Sequence, residues 1–154
     1  MRIWSWQLIP YLPELQFKGQ LRELVVIMRD WRDKGHTNHL LINQVMEFPK
    51  AHLCWYFELY REEYIKRYNK EISDNRYGKG IKPSIIKEFE DFKQPTIIEL
   101  KLFSWWHNKE YLRVCMANLY EKYKFGRGKS RITEAEWQRL LEGYKYLTNE
   151  NYEI

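Results

Sequence analysis

Arg22 and Glu23 stand side by side in a segment with helical periodicity. At that spacing Arg22 faces Lys18 and Gly19 one turn back and Val25 and Val26 one turn on, while Glu23 faces Gly19, Gln20, Val26 and Ile27. Neither has an opposite charge three or four residues away, where a helix normally pairs its charges. Gly19, one turn before Glu23, leaves a gap at a position where glycine costs a helix about 1 kcal/mol against alanine. A carboxylate can move protons, a guanidinium can hold an anion, and a gap can admit a ligand. The trio therefore reads as a site for something external.

The chain's first nitrogen is a second reactive group. Arg2 is too large for usual methionine removal, so Met1 is expected to stay. An α-amine titrates near about 7.7–8.0, so part of it is a neutral nucleophile at neutral pH. Close to a carboxylate, such an amine can form a Schiff base with a sugar aldehyde carbon.

Cations gather in three places. Lys18, Arg22 and Arg29 recur at four- and seven-residue spacing on one helix face, with Asp33 within reach of Arg29. The stretch RYGKGIK sets Arg76, Lys79 and Lys82 around Gly78 and Gly80, and FGRGKSR sets Arg127, Lys129 and Arg131 around Gly126 and Gly128. Glycines let backbone amides approach a phosphate and cations supply the charge, giving salt-dependent affinity that ignores base sequence. A solvated surface is the alternative reading of each cluster. Neither loop has the nucleotide-binding P-loop pattern, so an ATPase is not expected.

The elements that must carry these groups follow from periodicity. Residues 1–12 read as an extended arm broken by Pro10, and Pro13 suits a helix's first turn. The spacing of Leu21, Leu24, Val25, Met28 and Trp31 predicts a helix from Pro13 to Asp33, stopped by Gly35. A short helix is expected over 38–47 through Leu40, Leu41, Val45 and Met46, and a long one over 50–72 with Leu53, Tyr56, Phe57, Tyr60, Tyr64 and Ile65 as an apolar stripe. Residues 73–84 read as a loop and 84–93 as a modest helix. The QPTIIELKLFSWW stretch reads as a short strand or buried connector. A helix over 108–123 buries Leu112, Cys115, Met116, Leu119 and Tyr123. In the last helix Thr133 and Glu136 have capping-box spacing, and Trp137, Leu140, Leu141 and Tyr144 face inward. The expectation is a mainly α, compact single-domain helical bundle over 1–154, with an extended N-terminal arm (1–12).

Composition narrows the function class. The chain has 154 residues, 31% charged and 44% hydrophobic, which fits a globular domain. A net charge of +5 favours phosphate-bearing partners. Cys54 and Cys115 lie in apolar helical runs and read as reduced core thiols of a cytoplasmic protein. His36, His39, His52 and His107 form no metal-binding pattern, so no metal and no cofactor is expected. No membrane partner is expected, since no apolar run is long enough to span a bilayer and the N-terminus lacks signal-peptide character.

The stretches MRIWSWQLIPYLP, GQLRELVVI and INQVMEFPKAHLCWYFELYREEYIKRY resemble the pyrimidine-dimer DNA glycosylase family of the phage endonuclease V type. The likeness covers about the first 70 residues, with 13–72 the best-matched region. A fainter echo lies in HNKEYLRVCMANLYEKY. The resemblance implies a helical domain that flips a nucleotide from duplex DNA holding a damaged, modified or abasic site. Its N-terminal amine attacks the sugar, a helical glutamate assists the Schiff-base chemistry, and β-elimination nicks the strand. On this chain Met1 would be the nucleophile, Glu23 the acid/base group, Arg22 a phosphate or nucleotide contact, and Arg2 the arginine of the family's arm. Trp4, Trp6, Trp105 and Trp106 are candidates to fill the vacated space.

The chain departs from the family at four points. Arg2 directly follows Met1, where the family exposes a small first residue. Val26 stands in place of a phosphate-binding arginine, and Gln16 replaces a histidine. Residues 73–106 and the helix after 133 have no counterpart. The expectation is a DNA glycosylase with AP lyase activity, a cytoplasmic, nucleoid-associated monomer. Lys18, Arg76, Lys79, Arg127, Lys129 and Arg131 would join Arg2 and Arg22 on DNA. A non-catalytic nucleic-acid-binding protein on the same scaffold and a protein-interaction module are the alternatives.

Overall fold

Ile3, Trp4, Leu8, Ile9 and Leu12 are buried, so residues 3–12 are built into the fold. Of the extended arm expected over 1–12, residues 6–11 are helical instead. The structure is a computed structural model and describes residues 2–72 and 101–154. Trp6–Tyr11 coils into a 3-10 helix with Pro10 inside it. Proline's fixed φ lies within the 3-10 range, so Pro10 removes a donor without breaking the turn. Its carbonyl accepts from Arg139 Nη2 at 2.7 Å.

Four α-helices occupy the described residues: α1 (Glu14–Lys34), α2 (Lys50–Tyr68), α3 (Lys109–Phe125) and α4 (Glu134–Thr148). There is no strand among the described residues, and the fold class is mainly α as expected. No helix among them is long and apolar enough to cross a membrane.

The helix ends obey local chemistry. Gly35 closes α1 with φ +75°, and its N–H reaches the Asp30 and Trp31 carbonyls at 3.1 and 3.0 Å. Asn69 takes the left-handed conformation with φ 52° and its N–H bonds to Ile65 O at 2.8 Å. That ends α2 four residues short of the expected 72, because asparagine tolerates this conformation where most residues do not. Asn108 Oδ1 caps α3 by accepting from Tyr111 N at 2.9 Å. Thr133 and Glu136 form the full reciprocal box at the start of α4.

The chain divides into two compact units. The first comprises residues 1–3 and 18–103, the second residues 4–17 and 104–154. In the first, α1 buries Leu21, Leu24, Val25 and Met28 as its periodicity predicts, while Trp31 is only half-buried. In α2 Leu53, Tyr56, Phe57 and Tyr60 are buried, but Tyr64 is half-buried and Ile65 exposed. The expected helix over 38–47 is a 3-10 segment, Ile42–Glu47, and Leu40 and Leu41 before it are exposed. Thr37 and Asn43 draw the chain into a tight loop there, Asn43 Oδ1 accepting from Thr37 N at 2.7 Å and from Thr37 Oγ1 at 2.9 Å. Pro49 holds Phe48 extended, which separates the segment from α2.

In the second unit, α4 lies against the 3-10 segment and against α3. Gly143 makes the first contact possible: a Cβ there would sit 2.4 Å from the Tyr11 ring. Leu112, Cys115, Met116 and Leu119 of α3 join Trp137, Leu140 and Tyr144 of α4 in the core, with Tyr123 and Leu141 at its edge. Cys54 and Cys115 form no disulfide and are buried, each inside its own unit. The expected loop over 73–84, helix over 84–93 and strand or connector beginning at 94 lie outside the described residues, apart from residues 101–106.

Candidate active site

The Arg22–Glu23 pair sits in the first unit, in the middle of α1. Leu21 and Leu24 on either side are buried, which fixes the helix's rotation and turns Arg22 to solvent and Glu23 to a half-exposed position. Among the described residues Arg22 has no hydrogen-bond or ion-pair partner, so its guanidinium is available to an anion. A Cβ on Gly19 would meet nothing within 4 Å. The gap foreseen beside Glu23 is therefore open space.

Glu23 is not the isolated acid that charge spacing suggested. Its Oε2 accepts a hydrogen bond from Gln20 Nε2 at 2.9 Å. Gln20 is 1% exposed. Its Oε1 accepts from the Tyr56 hydroxyl at 3.1 Å, and the Tyr56 hydroxyl oxygen lies 3.3 Å from the Tyr60 hydroxyl. Tyr56 and Tyr60 are fully buried on α2. A string of polar groups thus runs from the interior of the first unit to a carboxylate at its surface. Charge-pair rules missed Gln20 because they look for charges. The sequence did carry a trace of it, a polar residue four before Leu24 on the apolar stripe of α1.

The other expected site residues are placed less uniformly. Lys18 lies over the Tyr68 ring, 4.9 Å from its centre, an attraction of about 0.5–1 kcal/mol at exposed sites. Its charge remains on the Arg22 side of the helix. Arg29 does not hold Asp33 by hydrogen bond: that carboxylate takes Arg32 Nε at 2.9 Å, which keeps it below its ordinary range. Arg2 is half-buried in the first unit. Val26, one turn on from Arg22, is exposed. Met1, Arg76 and Lys79 lie outside the described residues.

Arg127, Lys129 and Arg131 are exposed in the second unit, on the loop between α3 and α4. Arg131 Nε donates to Tyr123 O at 3.2 Å, which ties it to the end of α3. A Cβ on Gly126 would come 2.2 Å from Lys122 O, so glycine lets the loop fold back tightly there. Of the four tryptophans put forward to fill a vacated base position, Trp4 and Trp106 are core residues of the second unit. That removes them from the role, since withdrawing either would open the core. Trp6 is half-buried and Trp105 is 54% exposed.

No curated protein and no solved structure gives a significant match to the chain. A family model does, and it covers the helix that carries Arg22, Glu23 and Gln20, together with Tyr56 and Tyr60. Its description is pyrimidine dimer DNA glycosylase, and it matches residues 1–75. Over those residues the chain is similar to the pyrimidine dimer DNA glycosylase family.

Proposed function

We propose that this protein excises a damaged or modified base from duplex DNA and nicks the strand, with the Met1 amine as nucleophile and Glu23 as the acid/base group. The observation that carries the reading is the surface carboxylate of Glu23 on a buried hydrogen-bonded support, inside the region that matches a DNA glycosylase family. Arg22 beside it supplies a cation for a flanking phosphate.

The chemistry balances without a cofactor. The neutral amine forms a bond to C1′ as the glycosidic bond breaks and the base departs with the bonding pair. Glu23 takes a proton from the attacking nitrogen and delivers one to O4′ as the C1′–O4′ bond opens, leaving a protonated imine. Loss of a C2′ proton then places a double bond between C2′ and C3′ while the 3′ phosphate leaves. Water releases the sugar and restores the amine. Extruding the nucleotide costs a few kcal/mol, least where the duplex is already distorted. Pyrimidine dimers, named in the family's description, are the first lesion to test, and Arg2 beside the amine argues for testing others.

Borohydride trapping with an abasic duplex tests this directly. The wild type should give a covalent protein–DNA adduct. Glu23→Gln should lose most of it, and an N-terminal extension should abolish it while sparing binding. No adduct from the wild type, where a known bifunctional glycosylase gives one, removes the enzymatic reading. The exposed Val26, at a position where the resembled family carries an arginine, favours a second reading, a DNA-binding protein without catalysis. Salt-sensitive binding without strand cleavage would support it.

A further inference from the structure

We propose that Gln20 is a positioning residue for Glu23, and that Gln20 with Tyr56 and Tyr60 forms a buried hydrogen-bond string that aims the carboxylate at the substrate. This rests on the glycosylase reading above and adds to it a residue that charge pattern does not find.

The argument is one of donors and acceptors. The Gln20 amide is fixed at both ends, Nε2 on Glu23 Oε2 at 2.9 Å and Oε1 on the Tyr56 hydroxyl at 3.1 Å. Reversed, it would present a carbonyl oxygen to a carboxylate oxygen, so the Glu23 side chain favours the observed orientation. With its proton directed to Gln20, Tyr56 has oxygen lone pairs left for the Tyr60 hydroxyl 3.3 Å away. Tyr60 and Tyr56 are one turn apart on α2, and their rings meet edge to face at 5.1 Å. The Tyr56 ring also meets Phe103 edge to face at 5.7 Å. Aromatic packing therefore fixes the hydroxyl, the hydroxyl fixes the amide, and the amide fixes one carboxylate oxygen. A glutamate on a helix surface otherwise samples several rotamers, and an acid/base group must sit within about 0.5 Å of its productive place.

The test compares single-turnover adduct formation on abasic duplex with binding of the same duplex. Gln20→Met keeps the length of the side chain and removes both polar atoms. It should slow trapping by about 10²-fold, the scale of a misplaced reacting group, with DNA binding within about twofold of the wild type. Tyr56→Phe keeps the ring and removes the hydroxyl. It should give an intermediate loss, again at unchanged binding. It also carries the test if Gln20→Met fails to fold. Loss of rate without loss of binding separates positioning from a general structural role. A wild-type trapping rate in folded Gln20→Met, or in Tyr56→Phe where Gln20→Met does not fold, overturns this inference and leaves the glycosylase reading standing. A wild type that traps nothing overturns both.

Discussion

A carboxylate and a guanidinium that are neighbours in sequence point about 100° apart on a helix, so on the proposed reading Arg22 and Glu23 would meet different parts of one ligand. Arg22 projects to solvent, suited to a phosphate, while Glu23 is held by an amide that is itself buried. His107, in the second unit, shows the opposite use of an ionisable group. It is buried, its Nδ1 accepts from Trp6 N at 3.2 Å, and its ring stacks on Tyr111 at 5.0 Å. Burial pushes it down from 6.5 to about 3, so the native state holds it neutral. The unfolded chain takes up a proton below its ordinary value that the native state refuses. Its contribution to stability is full above pH 6.5 and is lost as pH falls from there toward about 3. Stability read from urea unfolding should drop across that window by a few kcal/mol in total, because a tenfold change in proton affinity is worth about 1.4 kcal/mol. A His107→Gln variant should flatten the drop. His52, lowered by burial while its Nδ1 accepts from Phe103 N at 3.1 Å, leaves a smaller slope of the same sign.

At the scale of elements, the second unit is organised around the start and one face of α4. Glu136 closes the capping box through Oε1, accepting from Thr133 N at 3.0 Å, and its Oε2 accepts from Glu14 N at 3.1 Å. One side chain thereby satisfies orphan donors at the beginning of two helices. Gly143 brings the 3-10 segment onto the same helix. In an exposed helix interior alanine would be better than glycine by about 1 kcal/mol. Here a Cβ would stand 2.4 to 2.7 Å from ring atoms near the root of the Tyr11 side chain, where little relief is available. Gly143→Ala should therefore destabilise the protein by about 1–3 kcal/mol, the range for an overpacked core, and chemical denaturation reads it. A gain in stability would show that Tyr11 can move aside.

For the molecule as a whole, the charge of +5 is carried in part by cations at exposed positions in both units. Lys18 and Arg22 belong to the first, Arg127 and Lys129 to the second. If both loop cations meet phosphates, binding of undamaged duplex should weaken on neutralising Arg127 and Lys129 together. The slope of log affinity against log salt should fall by about 2, one for each lost phosphate contact. An unchanged slope would confine DNA contact to other residues. The sequence by itself determined the helical class, the limits of α1 and α3 to within a residue or two, the Gly35 stop, the Thr133 box and the greater part of the apolar stripes of the four α-helices, because all of these depend on neighbours within about one turn. It also marked Arg22 and Glu23 through the absence of local charge partners. Tertiary structure alone decided that Ile3, Trp4, Leu8, Ile9 and Leu12 are core, that Trp106 is packing, and that Glu23 has a buried amide behind it. The physical reason is distance along the chain: the bond from Tyr56 to Gln20 spans 36 residues and the bond from Trp6 to His107 spans 101, and no periodicity records such separations.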